Sequence, residues 1–203
     1  MRSGMDRARV AKSLAVLLHP VTVGFVPSVY AAVEHEGGLT ARLMGITVLV
    51  AALCVGLPSL SLLVAYWTGR TDDPFAVKRE TRIYLYPASA VGLVAAFAVF
   101  TSLYPFPLAR RMVVAAGLVT LGLAVGNRRT KVSIHTAANA AIAVAVGVTW
   151  GPAWAIPFAL AVPTVAWSRV TTGHHTVAQT VAGGAIGAIG ACLGVVASYY
   201  MPI

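Results

Sequence analysis

The chain has 203 residues, 58% of them hydrophobic and only 10% charged, with a formal net charge of +9. That composition excludes an ordinary soluble domain. With no basic helix carrying interleaved aromatics, it also excludes nucleic acid as the partner of the positive charge. The six acids, Asp6, Glu34, Glu36, Asp72, Asp73 and Glu80, lie outside the apolar runs. They are too few for an oxygen-liganded Mg²⁺ or Ca²⁺ site, so neither a metal nor a cofactor is expected.

Residues 13–33, 43–69, 83–109, 132–168 and 170–203 carry no charge, and apolar runs of about 18 residues or more read as bilayer-spanning helices. Seven helical segments are predicted, near 12–33, 41–67, 86–104, 109–126, 133–149, 152–168 and 174–199. The fold class is therefore all-α: a polytopic transmembrane bundle of six to seven membrane helices, forming one integral membrane domain over 1–203. The basic N-terminus lacks a convincing small-residue cleavage site and is expected to be retained. "YPFPLARR" and "WGPAW" turn two pairs of segments into hairpins. In the last segment Gly183 and Gly187, like Gly190 and Gly194, are four residues apart, the spacing of close helix packing within the bundle or, alternatively, in an oligomer. Cys54 and Cys192 read as packing residues. His19 reads as a polar packing residue inside the first span, and His35 and the Asp72–Asp73 pair as solvated.

Seven crossings bring the N-terminus and three polar loops to one face: 68–85, 127–132 and the 168–175 junction. Most of the Lys and Arg residues lie there, which predicts a multi-pass protein of the cell inner or plasma membrane with that face in the cytoplasm.

The same loops gather Lys78, Arg79, Arg82, Lys131, Ser133, His135, Ser168, Arg169, His174 and His175. Such a donor set, almost without acceptors, matches an anion. Arginine suits phosphate through its planar fork, and helix N-termini near Ser133 and His175 add free N–H groups. Two histidines can divide a phosphoryl transfer, one attacking phosphorus and one protonating the leaving oxygen. Gln179, four residues after His175, is expected on the same helix face and able to orient it.

"SRVTTGHHTVAQ" carries Ser168-Arg169, five residues, His175, three residues and Gln179; "VSIHT" carries Ser133-Ile134-His135; "KRETRIYLYP" is basic and ends on Pro87. These stretches resemble the three-part pattern of the type 2 phosphatidic acid phosphatase superfamily of membrane lipid phosphatases: K-x6-R-P, P-S-G-H and S-R-x5-H-x3-D. The third part matches with Gln179 in place of Asp. The second has Val132 in place of Pro, and the first departs in spacing, with Tyr86 where Arg is expected. The resemblance covers about residues 78–183. It implies a metal-independent hydrolysis at the membrane edge with His175 as the nucleophile that forms a phosphohistidine, His135 as the general acid and Gln179 as the orienting group. It further implies that Arg169, Ser133, Ser168 and Lys131, with Lys78, Arg79 or Arg82, bind phosphate.

The expected substrate is a lipid phosphate, a phosphomonoester or diphosphate of a phospholipid or polyprenyl lipid. Rival readings are an anionic-lipid or phosphate transporter, an inactive phosphatase-like scaffold, and a phosphotransferase with an acceptor other than water.

Overall fold

The structure, a computed structural model, describes residues 2–200. Its helices are α1 (Arg2–Leu17), α2 (Pro20–Glu36), α3 (Ala41–Ala51), α4 (Leu57–Trp67), α5 (Arg82–Ala98), α6 (Pro107–Asn127), α7 (Ile134–Trp150), α8 (Pro152–Thr171) and α9 (Val177–Tyr199). A π-helical turn, Ala52–Gly56, joins α3 to α4, and another, Val99–Leu103, extends α5. The first precedes Pro58, which has no N–H to continue the α-helical ladder. Six stretches among the described residues are long and apolar enough to cross a membrane, and α7 is a shorter apolar helix. Large apolar side chains such as Val94, Leu121, Leu160 and Ile189 lie exposed on the outside, as expected of a bundle whose outer solvent is hydrocarbon.

The first predicted segment is not one helix. Pro20 disfavours helical backbone at the residue before it, so His19 is extended (φ −60°, ψ 136°) and starts α2 as its N-cap. The helix α1 ends at this elbow. It is fastened to α8 by the Ser168 hydroxyl, which donates to the Ala11 carbonyl at 2.7 Å.

The bundle closes around α7 and α9. Val119, Leu123, Val132, Ala137 and Ala191 form a buried cluster between α6, α7 and α9. Small residues permit the close approach: a Cβ on Gly183 or Gly187 would run into the Ser133 or Ala137 carbonyl of α7's first turns, and one on Gly190 or Gly194 into the α6 backbone at Val119 or Ala115. All four glycines are thus spent on packing within the chain, which removes the reason to read them as an oligomer surface.

Candidate active site

The three polar loops meet at one end of the bundle. Arg82, in the first turn of α5, is buried. Its Nε donates to the Ala76 carbonyl at 3.2 Å, and its Nη1 donates to Asn127 Oδ1 at 3.1 Å and the Val132 carbonyl at 2.6 Å. It ties the loop before α5 to the loop between α6 and α7. Lys131 Nζ then donates to the His174 carbonyl at 2.9 Å, tying that loop to the one between α8 and α9.

The α8–α9 loop is shaped by Gly173, whose positive φ of 72° suits glycine. The Gly173 N–H reaches the Val170 carbonyl and the His174 N–H reaches the Arg169 carbonyl, a Schellman ending of α8. The turn folds the chain back, so that the His175 N–H also donates to the Arg169 carbonyl at 3.2 Å. Arg169 occupies the last turn of α8, where the helix dipole favours a cation.

His175 is buried, and its Nδ1 lies 3.1 Å from the Lys131 carbonyl. A carbonyl only accepts, so Nδ1 carries the proton and the neutral ring has its lone pair on Nε2. Burial, then the charges of Lys131, Arg82 and Arg169, push the His175 pKa down to about 4. Burial followed by Arg82 and Arg169 also lowers Lys131, although Asp73 and Glu80 act the other way. The ring is therefore neutral and cation-flanked near neutral pH.

Arg169 is the unsatisfied member. Its Nε is buried without a hydrogen-bond partner among the described residues, and its charge is felt by His19, His135, His174, His175 and Lys131. A buried donor left unpaired costs about 1–3 kcal/mol, a cost that an anionic acceptor would remove. His135, the second residue of α7, lies within electrostatic reach of Arg169 and His175. No three His, Cys, Asp or Glu side chains converge among the described residues, so the donors present do not form a metal cage.

Several predicted site residues stand elsewhere. Gln179 does not orient His175, because α9 begins only at Val177 and His175 precedes the helix. Its side-chain oxygen instead accepts from the Thr176 N–H at 3.1 Å in a capping box, while its own N–H binds the Thr176 hydroxyl. The Lys131 carbonyl takes the orienting place. Ser168 is fully buried and committed to Ala11. Ser133, also fully buried, is the N-cap of α7, its hydroxyl 2.8 Å from that of Thr136. Lys78 is exposed and paired with Asp72 at 2.5 Å. Arg79, exposed, faces Glu80 at 3.4 Å and the Arg129 carbonyl at 3.4 Å. Asp73 is buried rather than solvated, and its carboxylate accepts from the Phe75 and Lys78 N–H groups, shaping the loop.

His19 was missed as a neighbour of the site. Its ring meets that of His135 edge-on, with centroids 4.9 Å apart. The signal was legible as His-Pro, a cap followed by a proline at the first helical position.

No family model matches the chain, and neither does any curated protein or solved structure.

Proposed function

We propose that the chain is a membrane phosphohydrolase acting on a lipid phosphate or diphosphate through a phosphohistidine at His175. The observation that carries this reading is the His175 ring: its Nδ1–H is held by the Lys131 carbonyl, so Nε2 keeps its lone pair, within electrostatic reach of Arg169, whose buried Nε has no hydrogen-bond partner among the described residues. A phosphate would supply the acceptor that Arg169 lacks, and Lys131 would add charge. An anion carrier has use for the cations but none for a histidine held in the nucleophilic tautomer.

In the first step the Nε2 lone pair attacks phosphorus. A P–N bond forms, the P–O bond to the leaving group breaks, and His135, which takes up a proton from solvent as the phosphate's negative charge binds beside it, gives that proton to the departing oxygen. In the second step His135 takes a proton from water, the resulting hydroxide attacks phosphorus, and the P–N bond breaks. Phosphate leaves, the lone pair returns to Nε2, and His135 is again protonated. The site face lies in the cytoplasm by the positive-inside distribution, with the headgroup at the membrane edge and the hydrocarbon tail among the helices.

The test is phosphate release by detergent-purified protein in EDTA from phosphatidate, phosphatidylglycerophosphate and a polyprenyl diphosphate, with His175→Ala as control. Release that persists in EDTA and disappears in the variant is expected, and the preferred lipid identifies the substrate. Binding without release in both proteins overturns hydrolysis in favour of a carrier or an inactive scaffold.

A further inference from the structure

The two histidines of the site are held differently. A main-chain carbonyl fixes the His175 ring. The His135 ring has no hydrogen-bond partner among the described residues; its ring neighbour is His19, at 4.9 Å and an interplanar angle of 87°. His19 is itself fixed, because its Nδ1 accepts from the Val21 N–H at 3.3 Å as the α2 cap. That bond requires a lone pair on Nδ1, so the neutral His19 ring carries its proton on Nε2.

A second contact sets the same spacing through the backbone. Asn139 is fully buried, and its Nδ2 donates both to the Leu18 carbonyl at 3.2 Å and to the His135 carbonyl at 2.9 Å. One amide thus clamps the α1–α2 elbow to the first turn of α7. The ring contact joins the same two segments, and Arg169 lies within electrostatic reach of both rings.

From this arrangement we infer that His19 is a positioning residue for His135: the N-terminal elbow, outside all three polar loops, holds the general acid in its working rotamer. The inference rests on the hydrolase reading above for its catalytic meaning. The contact between the rings stands independently of it. A group that transfers a proton must be held within hydrogen-bond reach of the atom it serves, and His135 has no carbonyl or carboxylate to do this. His19 supplies a rigid wall in its place, held by a helix cap and an amide clamp.

Two substitutions separate this role from mere folding. His19→Asn keeps a capping oxygen for α2, since Asn is a strong N-cap, but removes the ring. His19→Phe keeps a ring against His135 and loses the cap. His19→Asn is expected to lower kcat about tenfold, within what general acid catalysis contributes, with KM and the melting temperature nearly unchanged. His19→Phe is expected to recover much of kcat while melting earlier. Histidine NMR on the full-length protein in detergent gives a readout that needs no turnover: the His135 ring signals and their titration midpoint shift in His19→Asn. Unchanged His135 signals, or a kcat in His19→Asn equal to wild type, would overturn the inference. Absence of hydrolysis in the wild-type protein with shifted His135 signals would sink the hydrolase reading and leave the ring contact established.

Discussion

The two ends of the bundle use charge in opposite ways. At the end away from the candidate site, polar groups satisfy one another. The Tyr104 hydroxyl donates to Glu36 at 2.5 Å and the Thr40 hydroxyl to the same carboxylate at 3.1 Å. Arg42 lies over the Tyr104 ring and donates to the Leu103 carbonyl, and His35 stacks on Phe106 with Nε2 3.2 Å from the Pro105 carbonyl. His35 is exposed, as expected, with one ring face resting on Phe106. This end staples α2 and α3 to the α5–α6 turn and leaves little for a ligand to complete. At the site end the acids serve elsewhere, Asp72 on Lys78, Asp73 on loop N–H groups and Glu80 on Arg79, while the buried Arg169 Nε has no hydrogen-bond partner among the described residues. Paired charge fastens helices; unpaired buried charge is an invitation to an anion.

The sharpest way to break this contrast is at Arg169. Replacing it with Ala should lower kcat/KM about a hundredfold, the scale of losing one positioned donor to a developing anion, and should weaken competitive inhibition by inorganic phosphate or vanadate. A variant that retains wild-type inhibition contradicts the assignment.

Proton uptake comes next. The folded chain protonates His175 only near pH 4, against an ordinary value of 6.5. Unfolding therefore takes up a proton between those values. Stability should fall as pH drops from 6.5 towards 4 and be untouched by this residue above 6.5. Thermal melts of wild type and His175→Asn across that window check the slope, which the variant should flatten.

A smaller effect distinguishes two buried hydroxyl roles. Ser168→Ala should cost about 1 kcal/mol of stability, the scale of one hydrogen bond, through release of α1, with KM unchanged. A raised KM with unchanged melting would restore Ser168 as a phosphate ligand. The smallest expected effect is at the opposite end, where Tyr104→Phe should lower the melting temperature modestly and leave turnover alone. A loss of turnover there would mean that the two ends are coupled.

Much of this architecture was readable in the residues. The long charge-free runs foretold the helices, because a bilayer leaves backbone groups no other partner. Loops carrying "NRRTKVSIHTA" and "SRVTTGHHTVAQ" do meet, since short connections on one face leave them nowhere else to go. The failures have local causes. Gln179 was placed by helical periodicity, yet the helix starts after His175, and Thr176-x-x-Gln179 was a capping box in plain view. The segment around Pro20 reads as one unbroken helix by hydropathy, yet proline disfavours helical backbone at His19 and splits it into α1 and α2. The orienting group of His175 is a main-chain carbonyl, which every residue possesses, so no side-chain pattern could have singled out Lys131 for that role. Ser168 looks like a ligand beside Arg169, but one step along a helix turns a side chain by about 100°, and Ser168 faces α1.

The central claim is that His175 takes the phosphoryl group. Its most direct test is to quench the wild-type protein during turnover of a lipid phosphate carrying a radiolabelled phosphoryl group, then locate the protein-bound label by peptide mapping. The account predicts a base-stable, acid-labile phosphohistidine at His175, absent in His175→Asn. Label at another residue, or label that survives in the variant, would contradict it.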